Sequence, residues 1–207
     1  MFEQQTLVRG GYLIKANIED LKRASNVFAK AMFKDPLHIY FFPNETSRFV
    51  KLIRLYRFKL KMDFKHLYTT ADHFKGFVIW KSSKNNNSKY RIIDIVRGAI
   101  LILSIGLGPI IKMIKYQKWI TRLHKRYLKK NYCCLDVLVI DPSFQGQGIS
   151  RSLVRPKIAE LTMNDEIAFL ETQNRKNVYL YEHFGFKLIY QERLPKTDII
   201  SYGMINN

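Results

Sequence analysis

The chain has 207 residues, 47% of them apolar and 25% charged, which as a prior makes one large domain or two small ones and excludes disordered, collagen-like and low-complexity classes. Lys and Arg number 35 against 17 Asp and Glu, a formal charge of +18 that favours polyanionic company such as nucleic acid, a membrane surface or a phosphorylated cofactor. The two cysteines, Cys133 and Cys134, are adjacent, which excludes a disulfide framework and a four-cysteine zinc site. With Glu3 in an N-terminus that lacks an apolar stretch, they set the expectation of a reducing cytoplasm.

Tyr12–Lys15 reads as a short strand, and Asn17 can cap a helix with Ile18, Leu21, Ala24, Val27, Phe28 and Ala31 at helical spacing. Asp35-Pro36 stops that helix. A second helical pattern runs from about Glu45 to Met62, and Phe74–Trp80 reads as a strand. Lys84–Lys89 is a polar surface loop by composition. From Tyr90 to Lys130 the reading is helical, with a charge-free run, Gly98–Ile111, followed by a basic tail from Lys112 to Lys130. That run is shorter than the roughly 20 residues of a membrane span and is broken by Gly106, Gly108 and Pro109. A core or pocket-lining role is expected for it, ahead of peripheral membrane contact.

Cys133–Ile140 is an apolar strand interrupted only by Asp136. It leads through Asp141-Pro142 and the turn Phe144–Gly148 into a helix from about Gly148 to Met163. A strand at Ala168–Glu171, a short helix at Val178–His183, a Gly185 break and two strands near Phe186–Arg193 and Ile199–Met204 follow, the last two able to pair as a hairpin. In the turn, glycines allow close backbone approach, and the helix start adds unpaired N–H groups and a positive dipole end. That combination suits a phosphate. It lacks the Lys-Ser/Thr pair of a P-loop and the three-glycine dinucleotide fingerprint, so a connector that binds nothing stays open.

Gln145-Gly146-Gln147-Gly148-Ile149-Ser150 resembles the Gln/Arg-x-x-Gly-x-Gly/Ala signature of the GNAT superfamily of N-acetyltransferases. Leu138–Pro142 is similar to that family's fourth strand and its exit, and Phe169–Thr172 with Asn174, Asn177, Tyr181 and Gly185-Phe186 to its fifth strand and following helix. Pro156, the Leu-Glu-Thr strand and the early Asp35-Pro36 resemble one branch of it. The match is clear over about 133–190, looser over 12–80 and slight over 90–130. Ser150 stands in place of a Gly or Ala, and Asn177 where Ala is commoner.

The resemblance implies a single-domain α/β fold over 1–207 with a mixed, mostly antiparallel sheet, an acetyl-coenzyme A core at about 133–190, and a helical insertion (about 81–130) between the third and fourth strands that selects the acceptor. It implies acetyl-coenzyme A as donor, an amine as acceptor, and direct attack in a ternary complex. The turn Gln145, Gly146, Gln147, Gly148, Ile149 and Ser150 would bind acetyl-coenzyme A, the backbone N–H groups of Gln147, Gly148, Ile149 and Ser150 holding its pyrophosphate, with a hydroxyl donor at Ser150. Leu138, Val139 and Ile140 would pair with pantetheine and polarise the thioester carbonyl. Asn174 and Tyr181 lie two helical turns apart. Asn174 is read as a pantetheine contact or a plain cap, and Tyr181 as the acid for the departing thiolate or as core packing.

For the base, Glu171 comes first and Asp136 second, each with a structural ion pair as the alternative. Strand parity puts Asp136 on the face of Leu138 and Ile140. His38, His66, His73, His124 and His183 lack metal-ligand spacing, so no metal is expected, and the cysteines read as core thiols. The expected function is acetylation of a small-molecule primary amine. The alternatives are a protein or peptide amine, or a non-catalytic basic module for coenzyme A, a membrane or nucleic acid, although RNA-recognition and helix-turn-helix signatures are absent. The oligomeric state is open, a homodimer included.

Overall fold

Short apolar runs alternating with amphipathic stretches build one sheet with helices on both faces. The computed structural model describes residues 6–8, 11–70, 75–85 and 92–206. Its strands are β1 (Thr6–Val8), β2 (Gly11–Lys15), β3 (Leu67–Thr69), β4 (Gly76–Ser82), β5 (Tyr132–Ile140), β6 (Ile167–Thr172), β7 (Lys187–Arg193) and β8 (Ile200–Asn206). Its helices are α1 (Leu21–Ala31), α2 (Pro36–Phe41), α3 (Glu45–Met62), α4 (Ile92–Ile105), α5 (Leu107–Tyr127), α6 (Ile149–Met163) and α7 (Arg175–Glu182). The strand order is β1-β2-β3-β4-β5-β6-β8-β7, antiparallel at every pairing except β5–β6. The mixed, mostly antiparallel α/β fold expected from the sequence is what forms.

Period-2 alternation along the central strands feeds two cores. On one face Phe77, Ile79, Val139 and Phe169 meet α1 through Ala24 and Phe28, α3 through Leu52 and Tyr56, and α5 through Ile120 and Leu123. On the other, Val78, Trp80, Leu135 and Leu170 meet α6 through Leu153, Val154 and Leu161, and α7 through Val178 and Tyr181. Each buried aliphatic or aromatic side chain contributes about 1.5–3 kcal/mol of transfer free energy, so both layers are held by their apolar stripes.

Three short elements went unread in the sequence: β1, β3 and α2. Asp35 stops α1 as expected, but its carboxylate also accepts from the N–H groups of Leu37 and His38 and so starts α2 at once, with Pro36 at the first helical position. β1 shifts the count, so the helical insertion lies between the fourth and fifth strands rather than the third and fourth. Phe74, His73, the polar patch beyond Asn85, and Tyr90 lie outside the described residues.

The apolar run 98–111 needs a correction. It is split between α4 and α5 at Gly106, whose φ of +92° turns the chain through a bend of 117° between the helices. Leu101 and Ile105 reach the core, but Ile100, Leu103, Leu107 and Ile111 are exposed, because α4 packs on α3 along one side only. Pro109 falls in the first turn of α5, where its missing N–H breaks no helical bond. Among the described residues no single helix is long and apolar enough to cross a membrane.

Candidate active site

The central feature of the site is a divergence of two strands. β5 and β6 run parallel and stay paired only from Tyr132–Ile167 to Leu135–Leu170. Beyond Leu135, β5 follows β4, with Val137, Leu138, Val139 and Ile140 opposite Ile79, Val78, Phe77 and Gly76. The edge of this stretch that turns away from β4 therefore carries backbone N–H and C=O groups past the end of the β6 ladder. A β-bulge causes the divergence: Leu135 pairs with Trp80 and Val137 with Ile79, which leaves Asp136 as the extra residue.

That bulge overturns the strand-parity expectation. Asp136 does not share a face with Leu138 and Ile140. It turns to the α3 side, where its Oδ2 accepts from Lys59 Nζ at 2.7 Å and lies 3.1 Å from Lys81 Nζ. Burial alone would raise this carboxyl, but the two lysines outweigh it and lower its pKa to about 2. Burial likewise opposes the charge on Lys59, and Asp136 and Asp63 overcome it and raise the ammonium's pKa. A carboxylate held this way takes up no proton near neutral pH.

At the end of β5, Asp141 accepts from Ser143 N–H and starts the turn. Gly146 and Gly148 have φ of +80° and +75°, and a Cβ built on either would meet nothing within 4 Å, so backbone conformation and open space together select glycine. Gly148 is the N-cap of α6, and the first amides of that helix point into the space with no carbonyl in their own helix to bond. A cavity of about 520 Å³ opens there, lined by Leu138–Ile140, by the turn, and by Asn174 and Tyr181. Gln147 is exposed and outside the lining, the one turn residue among those expected that is. The cradle fits a pyrophosphate, and the unpaired stretch of β5 fits a chain of amides such as pantetheine.

A second cavity of about 350 Å³ adjoins the first, sharing Met32, Asp35, Leu138, Asn177 and Tyr181 with it. Leu37, Phe41, Leu55, Met113 and Ile120 supply apolar walls, and Glu171 projects into it from β6. Three donors orient the Glu171 carboxylate: Tyr190 Oη and Ser201 Oγ (3.3 Å) on Oε1, and His124 Nε2 (2.8 Å) on Oε2. Tyr132 Oη lies 3.3 Å from His124 Nδ1, and a hydrogen donated there fixes the tautomer that presents Nε2–H to Glu171. A parallel chain runs through Asp35, with His38 Nδ1 2.6 Å from its Oδ1 and Tyr56 Oη 2.7 Å from His38 Nε2.

Asn174 is not a helical residue. It is the N-cap of α7, its Oδ1 accepting from Lys176 N–H, and from there it also lines the first cavity. Tyr181 sits where the two cavities meet, and burial raises its phenol far above the ordinary value, so it stays protonated at neutral pH. Burial raises both cysteine thiols, Cys133 to about 11, which keeps them protonated and inert. Among the described residues no three His, Cys, Asp or Glu side chains gather as a metal site. His124, His38, Tyr56 and Tyr190 were not singled out from the sequence. The inward spacing of Tyr116, Ile120 and His124 on α5 was the available sign for His124.

Residues 111–188 match the family model of the acetyltransferase (GNAT) domain. The solved structures that share the fold include the three that follow. A histone acetyltransferase HPA2 and related acetyltransferase from Corynebacterium glutamicum is 15% identical, covers 94% of each chain and gives a TM-score of 0.62. A putative arylalkylamine N-acetyltransferase 7 from the yellow fever mosquito is 13% identical over 94% of this chain and 86% of that one, with a TM-score of 0.57. The NatC complex bound to Gag peptide and CoA is 15% identical over 94% and 96%, with a TM-score of 0.50. Comparison with curated proteins gives no match.

Proposed function

We propose that this chain, whose residues 111–188 match the model of the GNAT acetyltransferase domain, moves acetyl from acetyl-coenzyme A to a primary amine on a small, largely apolar molecule. One observation carries the reading: two cavities join at Leu138 and Tyr181, where β5 parts from β6, one suited to a phosphorylated thioester and the other with an apolar side opposite the carboxylates of Asp35, Asp136 and Glu171. The turn amides would hold the pyrophosphate, and the free edge of Val137–Ile140 would pair with the pantetheine amides. An N–H of that edge, aimed at the thioester oxygen, supplies oxyanion stabilisation. Glu171, fixed by its three donors, takes the proton of the incoming ammonium directly or through one water. Tyr181 gives its proton to the sulfur that leaves. Asp136 has no part in the proton transfers and holds α3 to the sheet.

The apolar walls favour an amine with an aromatic or aliphatic body, and the arylalkylamine in the mosquito protein's name has that chemistry. The test is coenzyme A release over a panel of arylalkylamines, polyamines and N-terminal peptides, alongside calorimetric titration with acetyl-coenzyme A. Turnover highest with apolar primary amines is the expected result. Binding without turnover on the whole panel overturns the enzymatic reading, and turnover with peptides alone overturns the small-molecule one. Gly148→Val should abolish acetyl-coenzyme A binding in a folded protein, because Val tolerates φ of +75° poorly and its side chain would fill the cradle.

A further inference from the structure

We infer that the α4–α5 elbow is a docking tip for an anionic lipid surface, a property independent of acyl transfer. The tip is aliphatic. Leu103 is 87% exposed, Leu107 61% and Ile100 59%, and Ile111 and Ile114 continue the patch along α5. Single exposed aliphatics are ordinary, but five at one corner of the molecule, on both sides of a 117° bend, form a patch.

The same face of α5 changes chemistry with distance from the bend. Positions 107, 111 and 114 are aliphatic, and 115, 118, 122 and 125 on the same outer side are Lys, Lys, Arg and Lys, all exposed. Among the described residues none of these four cations has an ion-pair partner. No Asp or Glu occurs from 95 to 135, while nine Lys and Arg do. An acid-free segment with an aliphatic end and a cationic collar matches the layers of a bilayer surface, apolar below and anionic at the headgroups. Nucleic acid would satisfy the collar and leave the aliphatics in water. A single strand is also gripped by aromatic stacking, and the aromatics of α5 near the tip, Tyr116 and Trp119, turn inward instead. The opposite side of α5 lines the acceptor cavity through Met113, Tyr116 and Ile120, so docking leaves that cavity on the protein side.

The experiment is cosedimentation of the full chain with vesicles of phosphatidylcholine, with and without phosphatidylserine. Wild type should bind the phosphatidylserine vesicles and not the neutral ones, with affinity falling as salt rises. Leu103→Asp/Leu107→Asp, both exposed and outside the catalytic machinery, should keep acetyl-coenzyme A affinity and the circular dichroism spectrum while vesicle affinity drops about tenfold or more. Lys115→Glu/Lys118→Glu/Arg122→Glu should abolish the phosphatidylserine preference. In Leu103→Trp the added indole should shift its emission to the blue on vesicle binding. Vesicle binding indifferent to the aspartates, an unshifted indole, equal affinity for duplex DNA with no aspartate sensitivity, or a dimer that the aspartates dissolve in a protein that ignores vesicles would each overturn the inference.

Discussion

Asp136 and Glu171 both line the second cavity, the proposed acceptor site, and their neighbours divide the work between them. Lys59 and Lys81 hold Asp136 ionised, with its pKa lowered from 3.8 to about 2. A depressed carboxyl contributes stability above its unfolded pKa, and the contribution is lost as pH falls through the folded one. Asp136 should therefore contribute about 2 kcal/mol at neutral pH, fading between about pH 4 and pH 2. Asp136→Asn should lose that amount in urea unfolding at neutral pH, match wild type near pH 2, and keep turnover within a few-fold. A well-folded Asp136→Asn variant with turnover down a hundredfold would make Asp136 the base after all. Tyr181 is tested by Phe, which keeps the ring packed against Phe186 and removes only the hydroxyl. Turnover should fall about 10² with acetyl-coenzyme A affinity unchanged. Because burial raises the phenol's pKa, wild-type activity should show no falling limb from Tyr181 across the neutral range. Near-full turnover in the Phe variant, in a reaction limited by chemistry, leaves Tyr181 a packing residue.

The elements around Glu171 depend on one strand position. Gly203 of β8 pairs with Glu171 of β6 on one side and Tyr190 of β7 on the other, and the Tyr190 ring occupies the place a Cβ on Gly203 would take. Tyr190 also stacks on Tyr127 at 4.7 Å between centroids. Gly203→Ala should push that ring aside, cost about 1–3 kcal/mol by overpacking, and lower turnover by freeing the Glu171 carboxylate. Tyr190→Phe should keep the stability and lose part of the turnover. An alanine variant with wild-type melting temperature and activity would contradict this account. The β7–β8 hairpin was readable in sequence and forms as expected, but its docking on β6 was not, since β6 and β8 meet only through pairing of distant segments. The glycine turn, β5, α6 and the Asn174–Tyr181 segment were readable, because each is local: φ-demanding glycines, an apolar run, helical spacing. The three-residue β3 and six-residue α2 were too short for periodicity to register. The bulge at Asp136 defeated period-2 parity, which has no way to see an unpaired extra residue. His124 was hidden among cations, its contact with Glu171 set by how α5 lies over the sheet.

At the scale of the molecule, a charge of +18 would act on acetyl-coenzyme A, the proposed polyanionic substrate, before any contact forms. How much of it acts depends on salt. The screening length is about 30 Å at 0.01 M and about 8 Å at 0.15 M, so the whole surface pulls in the first case and only cations beside the cavity in the second. Lys34 lines the first cavity, whereas Lys118 lies on the outer face of α5, pointing away from the acceptor side. The association rate of acetyl-coenzyme A should therefore fall about 10- to 100-fold between those salt concentrations. Dissociation should change far less, because it is governed by short-range bonds to the turn amides and the β5 edge. Charge reversal separates the near field from the far. Lys34→Glu should slow association at both salt concentrations, and Lys118→Glu only at the lower one. Stopped-flow mixing with acetyl-coenzyme A reads both rates. An association rate indifferent to salt would assign the charge to some other partner, and equal slowing by the two reversals at 0.15 M would mean that the field at the cavity is not set locally.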